Sequence, residues 1–153
     1  DLVGDQINAA TGETPRRILP QIAAALEAFG AEFEALKLID SVHLAGTCPN
    51  AMFSVLAPKT KIPPHHGESN ARLVAHLPLV VPEQCLFRVG YDNRRWIEGE
   101  VIVFDDTIEH EAWNDSDEIR VVMIFDVWNP LLSLEERQIV QRMAAAERQF
   151  RLS

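Results

Sequence analysis

Two histidines carry the chemistry for which this sequence can be read. His65 stands in Ile62-Pro63-Pro64-His65-His66-Gly67, and His110 closes Phe104-Asp105-Asp106-Thr107-Ile108-Glu109-His110. Imidazoles on separate strands, about 45 residues apart, suit a single iron held inside a small β-barrel. Non-haem iron sites built on two histidines and one carboxylate commonly place the first histidine and the acid as His-x-Asp, leaving other positions on the metal open. Here that slot reads His65-His66-Gly67, so the acid is missing from it.

Strand alternation sorts the neighbours. In 108–113 it places Ile108, His110 and Ala112 on one face and Glu109, Glu111 and Trp113 on the other. The same rule puts Arg72, Val74 and His76 together. A guanidinium among apolar neighbours needs a carboxylate, from the protein or from a ligand. That leaves Arg72 open between an ordinary barrel salt bridge and contact with an anionic substrate. Arg120, in the apolar run Ile119 to Phe125, faces the same requirement more sharply.

The elements that must position these side chains fall into three parts of a single domain spanning 1–153. Thr14-Pro15 followed by Ile18, Ile22, Leu26 and Phe29 predicts an amphipathic helix, and Phe33, Leu36 and Ile39 a second short piece, so 14–40 reads as helical support. From 51 to 130 the texture changes to short β-rich runs punctuated by Pro, Gly, Asn and Asp. Strands are predicted at 52–56, 73–77, 85–89, 95–97, 101–104, 108–113 and 119–127. So many strands without intervening helical patterns predict a mainly β jelly roll with flanking helices. Ser133 with Glu136 makes a capping box that opens a closing helix over 133–151.

Composition narrows the partners. The chain has 153 residues, 47% of them apolar, with 14 Lys and Arg against 23 Asp and Glu, a net charge of −9. That balance argues against nucleic acid or an anionic membrane surface as the main partner. No apolar run reaches the length of a membrane span, and two cysteines make no disulfide framework, which suits a cytoplasmic protein. Asn114-Asp115-Ser116 is a formal glycosylation sequon of the kind chains contain by chance.

The run from Phe53 to Pro130 resembles the aspartyl/asparaginyl β-hydroxylases. The matching residues are Leu56-Ala57-Pro58 through Pro63-Pro64-His65, Gly67, Asn70, Arg72, His76-Leu77, Arg88, Trp96 to Gly99, Phe104 to Thr107, His110-Glu111, Arg120, and Asp126 to Pro130. The resemblance implies a double-stranded β-helix (jelly-roll, cupin-like) dioxygenase that uses Fe(II), 2-oxoglutarate and O2. It also accounts for Gly67, because these enzymes hold iron with two histidines only. Carried over residue by residue, it makes His65 and His110 the metal ligands, and Ser54 and Arg120 the anchors of the distal carboxylate of 2-oxoglutarate. His76 falls beside the cosubstrate's metal-bound end, and Arg72 is the candidate for a substrate carboxylate. The implied substrate is an Asp- or Asn-like centre in a peptide or small molecule. Two departures stand out: Val74 occupies a position where the family typically has a second arginine, and Trp128-Asn129-Pro130 replaces a frequent Trp-His-Pro. Val74 implies weaker cosubstrate binding and makes a non-catalytic, metal- or oxoacid-binding member the alternative. Asp105 and Asp106 read as a turn before the second histidine, from which one of them could act on the metal through water.

Overall fold

The computed structural model describes Val42 and residues 51–152, so the helices predicted within 14–40 lie outside the described residues. Eight strands follow in order: β1 (Ala51–Leu56), β2 (Thr60–His65), β3 (Arg72–Val80), β4 (Cys85–Val89), β5 (Asp92–Arg94), β6 (Ile102–Phe104), β7 (His110–Asn114) and β8 (Arg120–Trp128). They form two four-stranded antiparallel sheets, ordered β1-β8-β3-β6 and β2-β7-β4-β5. This interleaving is the double-stranded β-helix, and it brings residues distant in sequence onto the two walls of one interior.

The β1-β8-β3-β6 sheet is buried on both faces, which is why β3 and β8 read as nearly unbroken apolar runs. Val55, Ala75, Leu77, Val121 and Phe125 pack on one side. On the other, Val122 and Ile124 meet Phe87, Trp96, Phe104 and Ala112 of the facing wall. Register then fixes which polar side chains enter that interior. Pairing of His76 with Ile124, Ser54 with Val122 and Leu56 with Arg120 puts Ser54, His76 and Arg120 on the same inner face.

β2 is missing from the strands predicted by pattern, because Pro63 and Pro64 lie within it. It survives as an edge strand, where a missing N–H costs no ladder bond, and its register against β7 slips between Ile62 and His65. The strand expected at 95–97 is displaced to Asp92–Arg94. There it closes a two-residue hairpin with β4, whose turn places positive φ (57°) on Gly90.

The C-terminal helix α1 (Leu134–Leu152) starts at the predicted capping box. Glu136 accepts from the Ser133 backbone N–H at 2.8 Å, while the Ser133 hydroxyl accepts from the Glu136 N–H at 3.3 Å. Val140 and Ala144 seat α1 on Trp128. Among the described residues no helix is long and apolar enough to cross a membrane.

Asn114 pins the end of the barrel opposite the histidine end of β7. Its side chain is fully buried; the amide donates to the carbonyls of Leu56, Ala57 and Glu118, and its oxygen accepts from Cys85 Sγ and from Ser116 N and Oγ. The sequon is thus closed to glycosylation in the folded chain. Asn114→Ala would orphan several buried groups at once, so it should lower stability by about 3 kcal/mol or more, read as a drop in the urea midpoint. A loss below about 1 kcal/mol would mean that water replaces the network.

Candidate active site

β2 and β7 place His65 and His110 directly opposite each other, with ring centroids 4.1 Å apart. Each ring is oriented by its own backbone. His65 Nδ1 lies 2.9 Å from the Pro63 carbonyl, and His110 Nδ1 lies 2.9 Å from the Ile108 carbonyl. Since a carbonyl only accepts, both Nδ1 atoms carry the proton and both Nε2 lone pairs are free. Burial holds the His110 pKa below its ordinary value, which keeps the ring neutral and able to ligate.

Behind the pair lies a cavity of about 70 Å³ lined by Ser54, His65, His76, Trp96, His110 and Arg120, among others. Arg120 is 1% exposed. One terminal nitrogen donates to the Ser54 carbonyl and hydroxyl, each at 3.1 Å, and the guanidinium stacks 4.8 Å over Trp96. Its Nε has no partner, and among the described residues no carboxylate forms an ion pair with it. Desolvation lowers its pKa to about 10, so it remains a cation at neutral pH. His76 is its complement. Burial, then the charges of Arg120 and His110, push its pKa to about 3, and its Nδ1 accepts from Trp96 Nε1 at 3.3 Å. Its proton therefore sits on Nε2 as a fixed, neutral donor.

In front of the pair opens a cleft of about 700 Å³, bordered by Gly67, Asn70, Arg72 and Asp106 and walled by Val140 and Met143 of α1. His65 and His110 line both spaces, so they form the partition between them. The two acids before β7 divide their tasks. Asp105 Oδ1 accepts from Thr107 N and Oγ1 and holds the turn, whereas the Asp106 carboxylate fills the space that a side chain on Gly67 would need. Gly67 carries no positive φ; it is glycine because Asp106 is there. Gly67→Asp would therefore not supply the acid that the His65-His66-Gly67 slot lacks, since a Cβ at 67 collides with a carboxylate already in place. Gly67→Ala should cost about 1 to 3 kcal/mol by overpacking, and made in an Asp106→Gly background the same change should cost little further in urea unfolding. Additive losses would mean that the two sites do not touch.

Arg72 lines the cleft, but its terminal nitrogens are committed to Asp106 (3.1 Å) and Asp126 (2.9 Å). The barrel salt bridge is thus present, and a substrate carboxylate at Arg72 would compete with two protein acids. Val74 is buried between Phe104 and Asp126 on the neighbouring strands. The part of Asp126 as a partner of Arg72 was not read from the sequence, where its signals are its place in the matched run and its even spacing from Arg120. Trp96 both packs in the core and donates to His76. His66 sits at the cleft edge, with Nδ1 3.0 Å from the Thr107 carbonyl.

Two imidazoles with their Nδ1 atoms committed to backbone carbonyls, set in a jelly roll between a small cavity and an open cleft, mark the interior of a cupin-like barrel. Among the described residues no group of three or more His, Cys, Asp or Glu side chains is placed to hold a metal ion. The chain belongs to the aspartyl/asparaginyl beta-hydroxylase family, whose model matches residues 15–130. It is similar to the aspartyl/asparaginyl beta-hydroxylase of Mus musculus, 42% identical over 87 residues that make up 56% of this chain and 12% of that protein. It is also similar to the ornithine lipid ester-linked acyl 2-hydroxylase of Rhizobium tropici, 44% identical over 86 residues, 54% of this chain and 31% of that one. The chain thus spans less than a third of either relative. A cupin 2 conserved barrel domain protein from Salinispora arenicola superposes with a TM-score of 0.42 at 12% identity, over 69% of this chain and 79% of that one.

Proposed function

We propose that the protein is an iron(II)- and 2-oxoglutarate-dependent dioxygenase that hydroxylates an Asp- or Asn-like centre in a peptide or small molecule. The observation that carries this reading is Arg120, a buried guanidinium that no carboxylate among the described residues pairs with, lining with Ser54 the cavity behind the histidine pair. An uncompensated buried cation is costly, so a fold that keeps one needs an anionic ligand there. The relatives named as hydroxylases support the same reading.

When bound, iron with 2-oxoglutarate and O2 supplies the oxidation: the oxoacid gives succinate and CO2, one oxygen atom enters succinate and the other the substrate C–H bond. The chain's own residues bind and orient. Arg120 and Ser54 hold the distal carboxylate, with Arg120 Nε as the donor still to be satisfied. His76 offers its Nε2 proton as a hydrogen bond and, with a pKa of about 3, does not become an acid at neutral pH. Phe87, Phe104 and Trp96 close around these groups and exclude water. The substrate is received in the outer cleft, across the two histidines.

A second reading, a non-catalytic binder of metal or oxoacid, rests on Val74 standing where the resemblance implies a cation. Succinate formation from 2-oxoglutarate with Fe(II) and ascorbate decides between the two. An oxygenase turns the cosubstrate over, and faster with a true substrate; absence of succinate under every substrate tried, with Co(II) and 2-oxoglutarate still bound, favours the binder.

A further inference from the structure

A buried ion cluster adjoins the histidine pair, and neither strand alternation nor the cosubstrate site accounts for it. Arg72 from β3 reaches Asp106 on the loop before β7 and Asp126 on β8, and all three are at most 8% exposed. Asp106 Oδ2 takes the Arg72 bond, while Oδ1 is buried without any partner. The Gly67 N–H also donates to the Asp106 backbone carbonyl at 2.6 Å, so backbone and side chain of Asp106 are both fixed at the end of β2. Asp126 is kept in this setting although burial pushes its pKa up to about 6. Two acids and one base, held dry beside a cation site, are more than packing requires.

We propose that Arg72 and Asp126 form a clamp that positions the Asp106 carboxylate beside the two histidines, and that through Asp106 they set the affinity of the site for a divalent metal. The proposal rests on His65 and His110 being the metal ligands. Asp106 then supplies the negative charge that the His65-His66-Gly67 slot lacks, delivered from the opposite strand, and its free Oδ1 receives a donor that arrives with the metal. Arg72 and Asp126 are positioning residues, and a purely electrostatic role for Arg72 predicts the opposite sign. A cation removed from beside a metal site should tighten binding.

The test measures Co(II) dissociation constants on the full chain without cosubstrate, with the Co(II) visible spectrum and the urea midpoint recorded for each variant. Arg72→Lys keeps the charge and loses the fork, and should weaken Co(II) about tenfold, as loss of a partner behind a ligand does. Arg72→Gln should also weaken it despite removing a cation; if that chain does not fold, Arg72→Lys decides. Asp106→Asn should match these losses, and adding Arg72→Lys to it should cost nothing more. Unchanged or tighter Co(II) in a folded Arg72→Lys chain, or losses that add in the double variant, overturn the clamp. Failure of the underlying site looks different: the unaltered chain takes up no Co(II), or His65→Ala binds it equally well, and the clamp falls with it.

Discussion

Arg120→Ala should raise the 2-oxoglutarate dissociation constant by about 100-fold or more while leaving Co(II) binding within a few-fold of the unaltered chain. The magnitude follows from charge-assisted hydrogen bonds, each about 1.5 to 3 kcal/mol when one partner is an ion, or roughly ten- to a hundredfold in affinity. The separation of effects follows from geometry. Arg120 stacks on Trp96 and donates to Ser54, and it touches neither imidazole by a hydrogen bond. Arg120→Lys should fall in between, because an ammonium keeps the charge without the planar fork. A further consequence concerns stability. A fully desolvated cation without a carboxylate is a burden to the unliganded fold, so Arg120→Met, close in volume and apolar, should leave the urea midpoint unchanged or raise it. Wild-type cosubstrate affinity in Arg120→Ala, measured calorimetrically on the Co(II) form, would place the anchor elsewhere and remove the observation on which the function rests.

On the proposed function, His65→Ala and His110→Ala should each reduce Co(II) affinity by more than the 10- to 100-fold typical of losing a partner behind a ligand, because each removes one of the two proposed protein donors. The two substitutions should differ in what they do to the fold. His65 is exposed on an edge strand and its loss should leave the urea midpoint near its original value. His110 is 8% exposed and packs edge-on against Phe104, at 5.2 Å between centroids, so His110→Ala should also cost about 1 to 2 kcal/mol. Stoichiometric Co(II) retained in either single variant would show that the pair is not the metal centre.

The strength of these effects depends on features that differ in how far they can be read from sequence. β8 was legible as an apolar run interrupted by one cation, because a strand buried on both faces has little choice but Val, Ile, Phe and Met. The helix start at Ser133 was legible for a local reason too: a capping box is satisfied within four residues. β2 was hidden by its prolines, since only its place at the edge of the second sheet makes them tolerable.

The sequence by itself determined the residue types of the site: two histidines with a glycine in place of an acid, one arginine that no local carboxylate could neutralise, and the alternation that puts His76 with Arg72 and Val74 on one face. Tertiary structure alone decided which groups meet. His65 faces His110 through a register that includes a slip at Pro63-Pro64, and Ser54 reaches Arg120 across 66 positions of chain. Asp105 and Asp106 are indistinguishable by type and spacing, yet one caps a turn and the other occupies the Gly67 notch. Arg72 had two possible counter-ions in principle, the protein's or a ligand's, and the strand order settled its neighbours by bringing Asp106 and Asp126 to it. The physical reason is common to all of these: interactions within a few residues obey local geometry, whereas contacts between strands depend on sheet order and register, which the whole chain sets together.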